Sequence, residues 1–132
     1  MALTTGRNTV EIAEGRTLIL PVKANTKIYE GGIVMLEAGF AVQGKTALDL
    51  ISAGRAEEFV DNTGGVNAEK NIKVRRGIFK YNNDTTNPVT GGDLLKECFV
   101  LDDETVCMLA TGTSKAGKVI RIDDSQVIVE II

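Results

Sequence analysis

One stretch of this chain spells a phosphate-binding string. Gly39-Phe40-Ala41-Val42-Gln43-Gly44-Lys45-Thr46 satisfies G-x-x-x-x-G-K-[ST]. In such a loop successive backbone N–H groups cradle phosphate oxygens, the lysine reaches the β/γ-phosphates and the hydroxyl ligates Mg²⁺. An apolar run, Ile33 to Leu36, precedes it, and Phe99-Val100-Leu101-Asp102-Asp103 has the form of a strand ending in an acidic Mg²⁺ partner. A near-match at Gly112 to Lys118 is followed by Val119 where Ser or Thr is needed. The surroundings argue the other way. Phe40 to Gln43 alternates like a strand, Gly54 interrupts the segment after Thr46, and the chain lacks the long helices that parallel β-α-β crossovers require. A small nucleotide-binding protein using Gly44, Lys45 and Thr46, with Asp102 on Mg²⁺, therefore stands as the alternative reading. It requires a parallel sheet and a helix starting at Thr46.

Other chemistry is sparse. Histidine is absent, so there is no Ser-His or Cys-His dyad and no His metal ligand. Asp102-Asp103-Glu104 and Asp123-Asp124 each lie between apolar runs, where Asp bonds nearby backbone N–H groups in turns, and calcium-loop spacing is missing. No catalytic residue, cofactor, metal or small-molecule substrate is expected. A two-residue turn at Asp102-Asp103 would set Val100 against Thr105 and Cys98 against Cys107, near disulfide reach. Residues Met1 to Glu14 carry no apolar stretch of a secretory signal. Without export, the two cysteines are expected to be reduced core residues. Arg75 and Arg76 sit mid-strand with opposite orientations, and suit either solvent or an acidic partner surface.

These residues are positioned by strands. Thr17 to Val22 is a short apolar run closed by Pro21, as at a sheet edge. Ile33–Leu36 and Phe40–Gln43 form a hairpin around Ala38-Gly39. Leu48 to Val60 is ambiguous between helix and strand. Asp61 to Gly65 is a turn. Ile72 to Tyr81 alternates until Gly77 shifts its phase, which reads as one bulged strand. A short helical turn falls near 91–96, capped by Thr90. Strands follow at Cys98–Leu101, Val106–Ala110, Lys118–Ile122 and Val127–Ile131, the last two joined by a turn at Asp123-Asp124-Ser125. The fold class is all-β, a β-sandwich or small barrel of eight to ten short strands, with an extended N-terminal arm over 1–16 and one β-domain over 17–132.

Composition bounds the rest. The chain has 132 residues, enough for one domain, with 43% hydrophobic and 25% charged residues, which excludes a disordered chain. No apolar run approaches the ~20 residues of a spanning helix. Fifteen Lys and Arg against 18 Asp and Glu leave a net charge of −3, the wrong sign for a general nucleic-acid binder.

The order of five segments is distinctive: MALTTGRNTVE, PVKANTKIYEGGIVMLEAGFA, GRAEEFVDNTGG, VRRGIFKYNN and DLLKECFVLDDETVCMLATGTSKAGKVIRID. Over Ala2 to about Glu130 this resembles the head decoration, or cement, proteins that accompany the major capsid protein of Mu-like tailed phages. The chemistry of Phe40–Gln43 and Lys45-Thr46 departs from that pattern. The resemblance implies a structural virion protein without enzymatic activity, assembled in the host cytoplasm and located on the outer surface of the head. Its partners would be the major capsid protein at capsomer junctions and itself, as a homo-dimer or homo-trimer, with no nucleic acid or membrane involved. A tail or baseplate β-domain is the weaker alternative. The contact residues expected on this reading are Leu3, Thr5, Arg7, Asn8 and Val10 of the arm, then Arg75 and Arg76, then Tyr29 and Tyr81.

Overall fold

The computed structural model describes residues 2–10 and 14–132. Twelve strands make up almost all of its regular structure: β1 (Thr17–Pro21), β2 (Lys27–Ile28), β3 (Ile33–Glu37), β4 (Phe40–Gln43), β5 (Ile51–Ala56), β6 (Val60–Asp61), β7 (Asn71–Arg75), β8 (Gly77–Asn83), β9 (Glu97–Val100), β10 (Thr105–Cys107), β11 (Lys115–Asp123) and β12 (Gln126–Ile131). One 3₁₀ turn, Gly91–Asp93, lies between β8 and β9. Thr90 and Asp93 close it reciprocally, the Asp93 carboxylate accepting from the Thr90 backbone N–H at 2.8 Å.

The strands form two curved units and a small ribbon. The order β1-β7-β5-β3-β4 makes a five-stranded antiparallel sheet. It curls until Val22, just past β1, bridges Ala41 of β4. The order β10-β8-β12-β11-β9 is a closed barrel, in which β10 runs parallel to β8 and antiparallel to β9. Strands β2 and β6 pair by themselves. All-β is thus the architecture, with a barrel closing one half and a curled sheet the other.

Strand β3 joins the two. Its sequence Ile33-Val34-Met35-Leu36 is apolar without interruption because both of its faces are buried. Ile33 and Met35 enter the barrel-side core with Val100, Val106, Val119, Val127 and Val129. Val34 and Leu36 enter the other core, with Val22, Ile28, Ala41, Ile72 and Val74. Each fully buried aliphatic chain contributes about 1.5–3 kcal/mol of transfer free energy, so β3 draws stability from both cores at once.

Two glycines make the curvature possible. Gly54 in β5 has φ +147°, and a Cβ there would lie 2.3 Å from the Arg75 carbonyl oxygen. The β3–β5 register shifts at this point. Gly117 in β11 would carry its Cβ 2.2 Å from the Glu130 carbonyl oxygen, next to the shift between β11 and β9. The Ala38-Gly39 turn has both residues at positive φ, +51° and +89°, the conformation that lets a two-residue hairpin follow the strand twist.

Two expectations are corrected and one ambiguity is resolved. Residues 72–81 are two strands: β7 belongs to the curled sheet and β8 to the barrel, with the chain crossing at Arg76. The phase change at Gly77 marks that crossing instead of a bulge. The 48–60 segment resolves as β5 followed by a turn into β6. The hairpin between β9 and β10 pairs Val100 with Val106 and Cys107 with Phe99, around a loop one residue longer than Asp102-Asp103. A one-residue change of register sends side chains to the opposite face. Cys98 therefore points into the barrel-side core, Cys107 does not share that cluster, and both thiols are buried and free.

Candidate functional site

The phosphate-loop string is built as a structural seam. Gly39 closes the hairpin turn, Phe40–Gln43 is β4, and the sheet around it is antiparallel. The Gly44 N–H donates to the Ile33 carbonyl at 2.7 Å, so it is already satisfied. Lys45 forms a backbone bridge with Asp102, and its Nζ lies 2.9 Å from Glu37 Oε1. Lys23 pairs with the other oxygen of Glu37. Thr46 heads no helix; its Oγ1 donates to the Leu101 carbonyl at 2.7 Å. A Cβ on Gly44 would meet Asp102 O and Asp103 Cα at 3.0 Å. The two halves of the nucleotide-like pattern do meet, but as backbone packing that locks the β9–β10 loop of the barrel against the curled sheet. The sheet that holds β4 is antiparallel, and among the described residues no helix follows Thr46, so the setting a phosphate site requires is missing there.

The acidic turns are likewise occupied. Asp102 Oδ1 accepts from the Glu104 N–H at 2.9 Å, and Asp123 pairs with Lys80 at 3.1 Å. Burial, with the neighbouring Asp102 charge, raises the Asp103 carboxyl above its ordinary value. Among the described residues no group of three His, Cys, Asp or Glu side chains gathers in metal-binding range.

The arm residues Leu3, Thr5, Arg7, Asn8 and Val10 are all exposed and belong to no strand or helix. Leu3 and Val10 hold their apolar side chains 71% and 68% in solvent. No hydrogen bond ties residues 2–10 to the other described residues. Residues 11–13 of the expected 1–16 arm lie outside the described residues.

The arm root is clamped by Arg76. Its backbone N–H donates to the Arg16 carbonyl and its Nη2 to the Gly15 carbonyl, both at 2.7 Å. Its Nε is buried with no partner among the described residues. This guanidinium faces a cleft of about 350 Å³ that also touches Ile78, Glu130 and Ile132. Arg75 ends β7, half-buried, its carbonyl packed against Gly54. The two arginines thus serve different elements.

Tyr29 and Tyr81 part company. Tyr81 is a barrel-core residue, packed edge-on to Phe79 with ring centroids 6.5 Å apart. Its hydroxyl is buried without a partner, and burial raises its pKa. It cannot anchor a partner from there, so its place among the contact residues is corrected. Tyr29 is 54% exposed and lies against Phe59, itself 51% exposed, with centroids 5.3 Å apart. The pair forms because β2 and β6 match Ile28 with Val60. Those two side chains turn into the core, so their neighbours Tyr29 and Phe59 meet on the outside. Phe59 escaped the sequence reading because it falls in the ambiguous 48–60 segment. Glu57 beside it is held by Arg55 at 2.8 Å, and Arg55 also stands 4.6 Å over the Phe79 ring.

No family model matches the chain, and it has no match among curated proteins or solved structures. Among the described residues no helix is long and apolar enough to cross a membrane.

Proposed function

We propose that this chain is a capsid decoration, or cement, protein. It binds the outer surface of a phage head at capsomer junctions, through the major capsid protein, and stabilises the mature shell without catalysis. The observation that carries the reading is the placement of apolar side chains in solvent at two separate points of a rigid β body. Leu3 and Val10 project from the arm, and Tyr29 stacks on Phe59 at the ribbon. Exposed aromatic and aliphatic anchors of this kind are the typical centres of protein interfaces. A stiff body loses little entropy on docking, and an extended arm adds main-chain hydrogen bonds to a neighbour's sheet. Many copies on one lattice gain avidity, and binding only the mature lattice stabilises that lattice by linkage. The five-segment resemblance supplies the partner.

The test is co-sedimentation of the purified protein with filled heads, unexpanded shells and tails of the corresponding phage. Saturable binding to filled heads, weakened by Tyr29→Ala with Phe59→Ala, is expected. Binding to tails alone would replace this reading with the tail or baseplate one. Binding to no particle would end it.

A further inference from the structure

A pocket of about 270 Å³ opens beside the β2–β6 ribbon, between the 23–27 stretch and the end of β4. Its walls carry three lysines, Lys23, Lys27 and Lys45, and no carboxylate. Behind them Glu37 gives one oxygen to Lys23 and the other to Lys45. Lys27 makes no ion pair among the described residues. Asp61 stands opposite it in the ribbon, with its Oδ1 bonded to the Thr63 N–H at 3.0 Å.

The loop that presents these groups is fixed from beneath. The buried Asn62 donates its Nδ2 to the Lys23 and Val66 carbonyls, both at 3.0 Å. The backbone N–H groups of Lys23, Ala24 and Asn25 donate to Ala41 O, Asn67 Oδ1 and Gly65 O at 3.0, 2.8 and 3.1 Å. The acceptors are occupied in the same way: the Lys23, Ala24 and Thr26 carbonyls and Asn25 Oδ1 all take hydrogen bonds from within the protein. Donors are left over. The Lys27 ammonium and the side-chain amide N–H groups of Asn25 and Gln43 have no partner among the described residues.

A pocket of donors and positive charge calls for an acceptor-rich anion. Three features favour protein carboxylates over phosphate. Phosphate sites take successive backbone N–H groups or an Arg fork; here those N–H groups are occupied and no Arg lines the pocket. The volume falls below the usual range of cofactor-sized sites. The whole chain carries a net charge of −3, which opposes a long polyanion. Position favours a protein as well. Lys27 and Tyr29 flank the buried Ile28, so both point outward, about 7 Å apart along the chain. A partner segment that sets an apolar residue on Tyr29 and Phe59 carries its next residues over Lys27.

We propose that this lysine pocket receives the carboxylates of an extended acidic segment of the partner protein, whose apolar neighbour rests on Tyr29 and Phe59. The inference rests on the reading that this face meets another protein, and it adds the chemistry of the surface that is met.

The full chain, isotope-labelled, is titrated at low salt with an oligoglutamate peptide while its backbone amide resonances are followed. Saturable shifts centred on Lys23 to Lys27 and on Gln43 to Lys45 are expected. Lys27→Glu should weaken binding several-fold; Lys118→Glu, the same charge change at an exposed site elsewhere, should not. Oligothymidylate and inorganic triphosphate, titrated in parallel, are expected to bind more weakly. Shifts spread over the whole surface, equal losses from the two variants, or tighter binding of either phosphate probe would overturn the proposal. Filled heads separate this inference from the cement reading, since Lys27→Glu should reduce co-sedimentation several-fold. Heads that bind the variant as well as the parent overturn the pocket and leave the cement reading standing. Heads that bind neither end the cement reading, and the peptide titration then decides the pocket.

Discussion

At the scale of single residues, the titratable groups that the fold partly or wholly covers make the sharpest statements. Asp103 is kept above the ordinary carboxyl value of 3.8, chiefly by burial and then by Asp102. Its ionised form is therefore less favourable folded than unfolded, and the fold loses stability as pH rises through its titration. Asp103→Asn is expected to raise the denaturant midpoint at pH 7, and the gain should vanish well below pH 3.8, where both residues are neutral. Equal effects at both pH values would contradict this origin. Cys98 is pushed up from 9.0 to about 12 by burial in the barrel. The stability that depends on keeping this thiol protonated is complete below about pH 9 and is lost as pH climbs from there toward 12. Cys98→Ala should make the alkaline fall of the unfolding midpoint shallower. The native protein should leave both thiols unreactive to a thiol reagent until it is unfolded. Tyr81 follows the same logic, its hydroxyl enclosed without a partner. Its burial was not legible beforehand, because a Tyr after a phase-shifting glycine fits either face of a strand.

Elements reveal how much of the fold can be read in advance. The β3–β4 hairpin was legible because Ala38-Gly39 sits between two apolar runs, and only a turn with positive φ at both positions joins them so tightly. The β11–β12 hairpin was legible for a similar reason, with Asp124 at φ +58° in its turn. The crossing at Arg76 was not, since a bulge and a change of sheet disturb alternation alike. The cysteine register failed on loop length alone, because a single extra residue between β9 and β10 inverts the faces. The G-x-x-x-x-G-K-T string shows the opposite hazard: residues with a strong chemical signature serve here to hold a seam. Lys45→Ala should cost less than about 1 kcal/mol, as for a half-exposed ion pair. Mg-ATP should shift the melting temperature of neither the parent nor the variant, and a shift abolished by Lys45→Ala would restore the nucleotide reading. Gly54→Ala is expected to cost about 3 kcal/mol or more, through strain and the clash with Arg75. Gly91→Ala, where a Cβ meets open space, should stay within about 0.5 kcal/mol. Urea denaturation of the pair checks both.

For the whole molecule, the strand shared between two cores makes one stiff object of a barrel and a curled sheet. Met35→Ala should cost about 2–5 kcal/mol. It should speed amide exchange at Val129 in the barrel and at Val74 in the curled sheet together; acceleration confined to the barrel would show the halves unfolding separately. On the proposed reading, stiffness of that kind suits a clip that resists strain between shell subunits, with the exposed arm and the Tyr29–Phe59 pair as its grip. The exposed apolar surface on which the proposal rests was half legible. The arm and Tyr29 stood out by residue type, but Phe59 needed the β2–β6 register. The most direct measurement is a reconstruction of the mature particle at side-chain detail. The account predicts density for this chain on the outside of the head, seated over a junction between capsomers, with Tyr29 and Phe59 or residues 2–10 against the capsid protein. A head whose outer surface carries no such density, or the chain found only in the tail, would contradict it.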